Sequence, residues 1–185
     1  MVALSVFHKD KKSPAFQRDL YKLHFRRLYN TCLRIVGNPM DAEEAMHDVF
    51  LKIFDHIDGL QDEKAFISWS QRIAIRTSID RVRRINQVFV PLDEQFPVAC
   101  QEPETEMDEE IELSVDAIKR EMSRLPDGYR IVLSMRLLEE IEFDEIARTL
   151  QIKESTVRSQ YVRGREKLAS LLKKKNYESF RRIYQ

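Results

Sequence analysis

FDEIARTLQIKESTVRSQYVRGREKL, from Phe143 to Leu168, has the pattern of two short helices joined by a tight turn. The first helix spans about Phe143 to Leu150, with Ala147 where two crossing helices need a small side chain. On the second, Val157 and Tyr161 stand four apart and face back onto Ile146 and Leu150. That leaves Ser155, Arg158, Ser159, Val162 and Arg163 outward, with Arg165 and Lys167 following. A helix-turn-helix of this kind inserts its second helix in a DNA major groove; such a face can meet base edges while the later cations reach phosphates. The turn carries Gln151 where glycine is usual. A non-glycine residue at positive φ there costs about 1 kcal/mol. Lys153 stands at the usual cap position, so the cap is expected to come from Glu154 or Ser155.

Working outward, Lys173-Lys174-Lys175 opens a C-terminal tail. Upstream, Pro126-Asp127-Gly128 turns the chain into a helix over Tyr129–Glu140 with Ile131, Val132, Met135 and Leu138 inward. A preceding helix runs from near Glu106 to Leu125. Between Val88 and Thr105 stand Pro91, Pro97 and Pro103 among scattered acids, the composition of a linker. Nearer the N-terminus three helices can close a small bundle. The first, from Phe16 to about Val36, points Leu20, Leu23, Leu28, Cys32 and Ile35 inward and stops at Gly37-Asn38-Pro39. The second starts near Asp41, with Glu44 completing a capping-box-like pair. Its apolar stripe is Ala42, Ala45, Met46, Val49, Phe50, Ile53, Phe54 and Ile57, ended by Asp58-Gly59. The third runs from Lys64 to Asn86 with Phe66, Trp69, Ile73 and Ile79 inward.

The 185 residues suit one large or two small domains, and 34% charged residues with four glycines favour helices. The zero net charge hides a division. Residues 1–90 carry 15 basic and 11 acidic side chains, residues 91–125 carry 3 and 11, and residues 126–185 carry 13 and 9. Two mildly basic blocks therefore flank an acidic one, which suits a polyanionic partner at both ends. No apolar run reaches the length of a membrane span. MVALSVFHKDKK lacks the order of a signal peptide and reads as a frayed tail on a cytoplasmic protein. Cys32 and Cys100 lack metal-ligand spacing and are expected to be reduced thiols. His8, His24, His47 and His56 are dispersed, and no phosphate loop, nucleophile elbow or zinc motif occurs. The run Asp108-Glu109-Glu110 with Glu112 reads as a solvated acidic stretch. No catalytic group, metal, cofactor or small-molecule substrate is expected.

The segment LPDGYRIVLSMRLLEEIEFDEIARTLQIKESTVRSQYVRGREKL resembles domain 4 of sigma-70-type factors of the extracytoplasmic-function group. It shares the Leu-Pro-x-x-Tyr-Arg opening, the Phe-x-Glu-Ile-Ala helix and the Thr-Val-Arg-Ser-x-x-x-Arg-x-Arg helix. DAEEAMHDVFLKIF (Asp41 to Phe54) resembles the region 2.2 helix of the same group, and FISWSQRIAIRTSIDRVRR (Phe66 to Arg84) its regions 2.3 and 2.4. The resemblance implies an all-α protein of two helical domains on a flexible acidic linker. Its implied divisions are a disordered tail over 1–14, region 2 over 15–90, a linker over 91–114, region 4 over 115–175 and a tail over 176–185. Such proteins bind core RNA polymerase and direct it to promoters, melting the −10 element with region 2 and reading the −35 element with region 4. An anti-sigma factor is a further partner implied by analogy.

Carried over by residue, the resemblance assigns −35 contacts to Thr156, Arg158, Ser159, Val162, Arg163, Arg165 and Lys167. It assigns −10 contacts to Lys64, Phe66, Trp69, Arg72, Arg76 and Arg83, beside the loop Asp58–Ala65. Polymerase contacts fall to Asp41, Glu43, Glu44, His47, Asp48, Phe50, Leu51 and Lys52. Arg72, Arg76 and Arg83 share a helix face, as tracking a phosphate backbone requires, and an aromatic can stack an extruded base. Phe66 and Trp69 at helical spacing are more often core residues, and Arg76–Asp80 and Asp80–Arg84 fit plain helix pairs. A stand-alone helix-turn-helix regulator and a protein-binding helical adaptor are the alternative readings.

Overall fold

The computed structural model describes residue 11, residues 13–60, 63–86 and 115–183. The side chains at 63, 64, 86, 115–117 and beyond 173 are outside that description. So are the proline-rich stretch from Val88, the helix start expected near Glu106, the Asp108–Glu112 run and Cys100. Among the described residues every regular element is helical, and the chain divides into two units, with the boundary after Gln87.

The first unit is a three-helix bundle of α1 (Pro14–Val36), α2 (Pro39–His56) and α3 (Glu63–Asn86), with a 3-10 turn at Ile57–Gly59. Each start has a local cause. The Ser13 hydroxyl accepts the Phe16 N–H at 3.3 Å, with Pro14 opening α1, where a missing N–H costs nothing. Gly37, at φ 87°, ends α1 by returning its N–H to the Leu33 carbonyl. α2 begins two residues before Asp41, because Asn38 caps the Asp41 N–H at 2.9 Å and Pro39 takes the first position.

The core is Phe16, Leu20, Leu28, Cys32 and Ile35 from α1, Ala42, Ala45, Met46, Val49 and Ile53 from α2, and Phe66, Ala74, Ile75, Ile79 and Val82 from α3. Cys32 is buried and forms no disulfide. Leu23, read as inward from the sequence, is 50% exposed. The buried row of α1 runs Leu20, His24, Leu28 at steps of four, so His24 takes the inward position and Leu23 turns out. The His24 ring lies 4.6 Å from that of Phe66, and its Nε2 is buried without a hydrogen-bond partner.

The second unit contains α4 (Val115–Ser123), α5 (Asp127–Leu133) with a π-helical extension Ser134–Leu138, α6 (Phe143–Leu150) and α7 (Glu154–Ile183). Met122, Leu125, Leu133, Leu168 and Leu172 cluster between α4, α5 and α7. Leu138, expected inward, is 43% exposed. The Glu139 N–H bonds the Ser134 carbonyl five residues back, and that wider turn rotates Leu138 out of the α-helical register. α7 continues to Ile183, so Lys173-Lys174-Lys175 lies within a helix and not at the head of a tail.

α7 packs tightly on α5 at Gly164. A Cβ there would meet Leu133 Cδ1 and Tyr129 Cβ, each at 3.2 Å. The Leu125-Pro126-Asp127-Gly128-Tyr129-Arg130 segment has a comparable logic. Arg130 is buried, donates to the Leu125 carbonyl at 3.1 Å and pairs with Asp127 at 2.6 Å. Gly128 leaves room for buried Gln160.

Gly164→Val should destabilise the second unit by about 1–3 kcal/mol, since α5 would have to move off α7; far-UV circular dichroism melts check this. His24 gives a pH test. Burial first, then the charge of Arg27, holds its pKa below the ordinary value. The unfolded chain therefore binds the extra proton first, so stability is full above about pH 6.5 and falls as pH drops below it. Urea unfolding followed by fluorescence of Trp69, the single tryptophan, should show that loss, and His24→Phe should flatten it.

Candidate nucleic-acid interface

The geometry of the second unit starts at the turn between α6 and α7. Gln151 adopts φ 59° and ψ 39°, and the Ile152 N–H returns to the Ala147 carbonyl at 3.1 Å. The left-handed residue is thus tolerated because it closes the helix end. The Lys153 carbonyl accepts the Val157 N–H at 3.1 Å and the Thr156 N–H at 3.0 Å, which starts α7 at Glu154. Ile146, Ala147, Leu150 and Val157 are buried. This locks one face of α7 inward, and the other face is thereby set.

That other face holds the sequence-assigned residues. Ser155, Arg158, Arg165 and Lys167 are exposed; Thr156, Ser159, Val162 and Arg163 are half-buried at the rim. Ser155, Thr156, Arg158, Ser159, Val162 and Arg163 share the outward side of one helix, with Arg165 and Lys167 on its opposite flanks. Ser159 Oγ donates to the Ser155 carbonyl at 2.9 Å. The Arg158 guanidinium lies 4.7 Å from the Phe143 ring centroid, and its Nε and Nη2 both donate to Glu154 Oε1, at 2.9 and 2.6 Å. Arg165 stacks over Tyr161 at 5.6 Å, and Tyr161 meets Phe143 edge-on at 5.2 Å. Arg136 also lies over Phe143, at 5.0 Å, and pairs with Glu142 at 2.8 Å. From the sequence Phe143 is only a helix start and Glu154 only a candidate cap, neither with a part in this face. The Glu154–Arg158 spacing of four is a signal that would have found the second.

In the first unit, Arg72 and Arg76 are exposed on α3 and Arg83 pairs with Asp80 at 3.6 Å. Trp69 is half-buried, its ring 6.1 Å from that of Phe66. Phe66 itself is fully buried. It cannot offer a face to a base, so its assignment as a −10 contact is corrected: it is the floor on which Trp69 and His24 rest. Lys64 has its side chain outside the described residues.

On α2, Glu43, Glu44, His47, Leu51 and Lys52 are exposed and Asp48 is half-buried. Leu51, at 51% exposed, and Met40, at 74%, give this charged face two apolar contacts. Phe50 is 4% exposed and packs 4.6 Å from Tyr21, so its assignment as a partner contact is also corrected. Asp41 faces inward to Arg81 of α3, which donates to it from Nε at 3.1 Å and Nη2 at 2.9 Å and also bonds Glu44. The Asn38 hydrogen bond first, and Arg81 after it, hold the Asp41 pKa below the ordinary value against the opposing effect of burial. Lys52 reaches the same helix through Thr77 Oγ1 at 3.0 Å. The cross-helix role of Arg81 follows from its place near the α2 start, which no local sequence pattern encodes.

Residues 20–87 match the family profile Sigma-70 region 2, and residues 115–168 match Sigma-70, region 4. The chain belongs to the sigma-70 family. Within it, several of the similar chains are ECF (extracytoplasmic-function) sigma factors. The ECF RNA polymerase sigma factor SigW of Bacillus subtilis is 29% identical over 168 residues, spanning 84% of this chain and 88% of that one. The ECF RNA polymerase sigma factor SigE of Mycolicibacterium smegmatis is 30% identical over 165 residues, spanning 87% and 63%. Among solved structures, the sigma factor RpoE in complex with the anti-sigma factor NepR, from Bartonella quintana, is similar in fold with a TM-score of 0.53. At 16% identity it covers 84% of this chain and 96% of that one. The chain is a sigma factor that binds core RNA polymerase and directs promoter-specific initiation of DNA-templated transcription. Among the described residues no helix is long and apolar enough to cross a membrane.

Arg81→Ala should loosen the α2–α3 junction, lowering the stability of the first unit by about 1 kcal/mol, the scale of a partly exposed charge-assisted pair. Urea titration read at Trp69 measures it, and Asp41→Asn should reproduce most of the loss.

Proposed function

We propose that the outward face of α7 reads the −35 element and that the arginine face of α3 engages the −10 region. In this assignment Arg158, Ser159, Val162 and Arg163 face base edges, while Thr156, Arg165 and Lys167 hold phosphates. Arg72, Arg76 and Arg83, with Lys64, track the backbone of the opening duplex, and Trp69 stacks an extruded base. The outer face of α2, from Glu43 through Glu44, His47, Asp48 and Leu51 to Lys52, docks on the polymerase. Its mixed carboxylates and apolar side chains suit a basic helical partner, setting register and association rate. The divisions are region 2 over 15–90, a linker over 91–114 and region 4 over 115–175.

The observation that carries this reading is that α7 buries Val157 and presents Arg158 outward. The chain acts in the cytoplasm, supplies no bond-making group of its own, and leaves phosphodiester chemistry to the polymerase. An anti-sigma factor is a partner by analogy with the Bartonella quintana complex.

Arg158→Ala and Arg163→Ala, assayed by run-off transcription from a cognate promoter with core polymerase, should each cost about 1–3 kcal/mol of promoter-specific initiation. Core binding should be unchanged. Unaltered transcription by both variants would refute the −35 assignment.

A further inference from the structure

We infer that Phe143 and Glu154 are positioning residues that aim the Arg158 guanidinium at its base pair, so promoter discrimination depends on two residues that need not touch DNA. The inference rests on the assignment of Arg158 to the −35 element.

A guanidinium has a planar face and two hydrogen-bonding edges, with five N–H donors in total. For Arg158 the face is taken by Phe143, 4.7 Å from the ring centroid. One edge, Nε with Nη2, is taken by a single oxygen of Glu154, at 2.9 and 2.6 Å. The ring fixes the tilt of the plane and the carboxylate fixes rotation within it. The Nη1 donors and the second Nη2 hydrogen lie away from that edge. They form the two-pronged end that matches a pair of acceptors on a base edge.

The support is anchored. Phe143 opens α6 and meets Tyr161 edge-on at 5.2 Å, and Tyr161 packs against the Met122–Leu125–Leu133–Leu168–Leu172 core. The helix bearing Glu154 and Arg158 is tied to the same core through Leu168 and Leu172, and Val157 on it is also buried. The pair itself adds little to folding, because its side chains are 49% and 43% exposed and such pairs are screened by water. Its consequence is orientation: a long side chain that would sample many rotamers meets the groove in one. Glu154 also places a negative charge beside DNA, which opposes binding to any sequence. A residue that weakens general binding while sharpening one contact is a specificity device.

The test uses full-length chain with core polymerase and a promoter selected by that holoenzyme, each −35 base pair substituted in turn. Arg158→Ala first locates the base pair it reads. Glu154→Gln and Phe143→Leu should each lower discrimination at that base pair by about two- to tenfold, the scale of fixing one side chain. Discrimination elsewhere should be kept, and binding of Glu154→Gln to unrelated duplex should not fall. In an Arg158→Ala background neither change should have further effect. Retained discrimination, equal loss at every base pair, or loss that persists without Arg158 would each overturn the inference. A purely structural or helix-dipole role of Glu154 would give one of those results. If Arg158→Ala left every base pair equally discriminated, the −35 assignment would fall and the positioning role with it. Glu154 is a surface residue, so its variant keeps the test decisive if Phe143→Leu fails to fold.

Discussion

The docking of α7 onto α5 and α6 is the constraint from which the rest of the second unit follows. Gly164 lets α7 approach Leu133 and Tyr129 to van der Waals contact, and Val157 seals the other end against α6. A helix has one angular freedom about its own axis. Once Val157, Gly164 and Leu168 face inward, Arg158, Ser159 and Val162 have no other direction available. The interface is thus a by-product of core packing. Its charge is carried on a surface whose rigidity comes from apolar contact.

The first unit uses the same economy differently. Its core is closed by aliphatic stripes from all three helices, while the junction between α2 and α3 is polar. Arg81 reaches across to Asp41 and Glu44, and Lys52 to Thr77. These ties connect the face proposed to dock on polymerase with the helix proposed to hold the −10 region.

Much of this was legible in the residues. The bounds of α6 follow from the spacing of Ile146, Ala147 and Leu150 and from a terminus at Gln151, whose left-handed φ was expected from its place in the turn. The inward stripe of α2 was readable because Ala42, Ala45, Met46, Val49 and Ile53 repeat at helical steps without interruption. Where the reading failed, a polar residue or an altered period was the cause. His24 occupies a core position that hydropathy assigns to its neighbour Leu23. The five-residue turn at Ser134 exposes Leu138, and nothing in the local composition marks it. Phe66 and Phe50 were credited with partner contacts because aromatics serve both cores and interfaces; only burial separates the two uses. The support of Arg158 by Phe143 joins residues fifteen positions apart. It is a property of the packed pair of helices and of no single helix.

Promoter recognition turns on which surface of each helix meets which part of the promoter. Photocrosslinking addresses this directly, with a benzoyl-phenylalanine placed singly at positions 76 and 162 of the full chain in holoenzyme bound to a promoter. The account predicts adducts at the −35 element from position 162 and at the −10 element from position 76. Adducts in the reverse positions, or only to polymerase subunits from both sites, would contradict it.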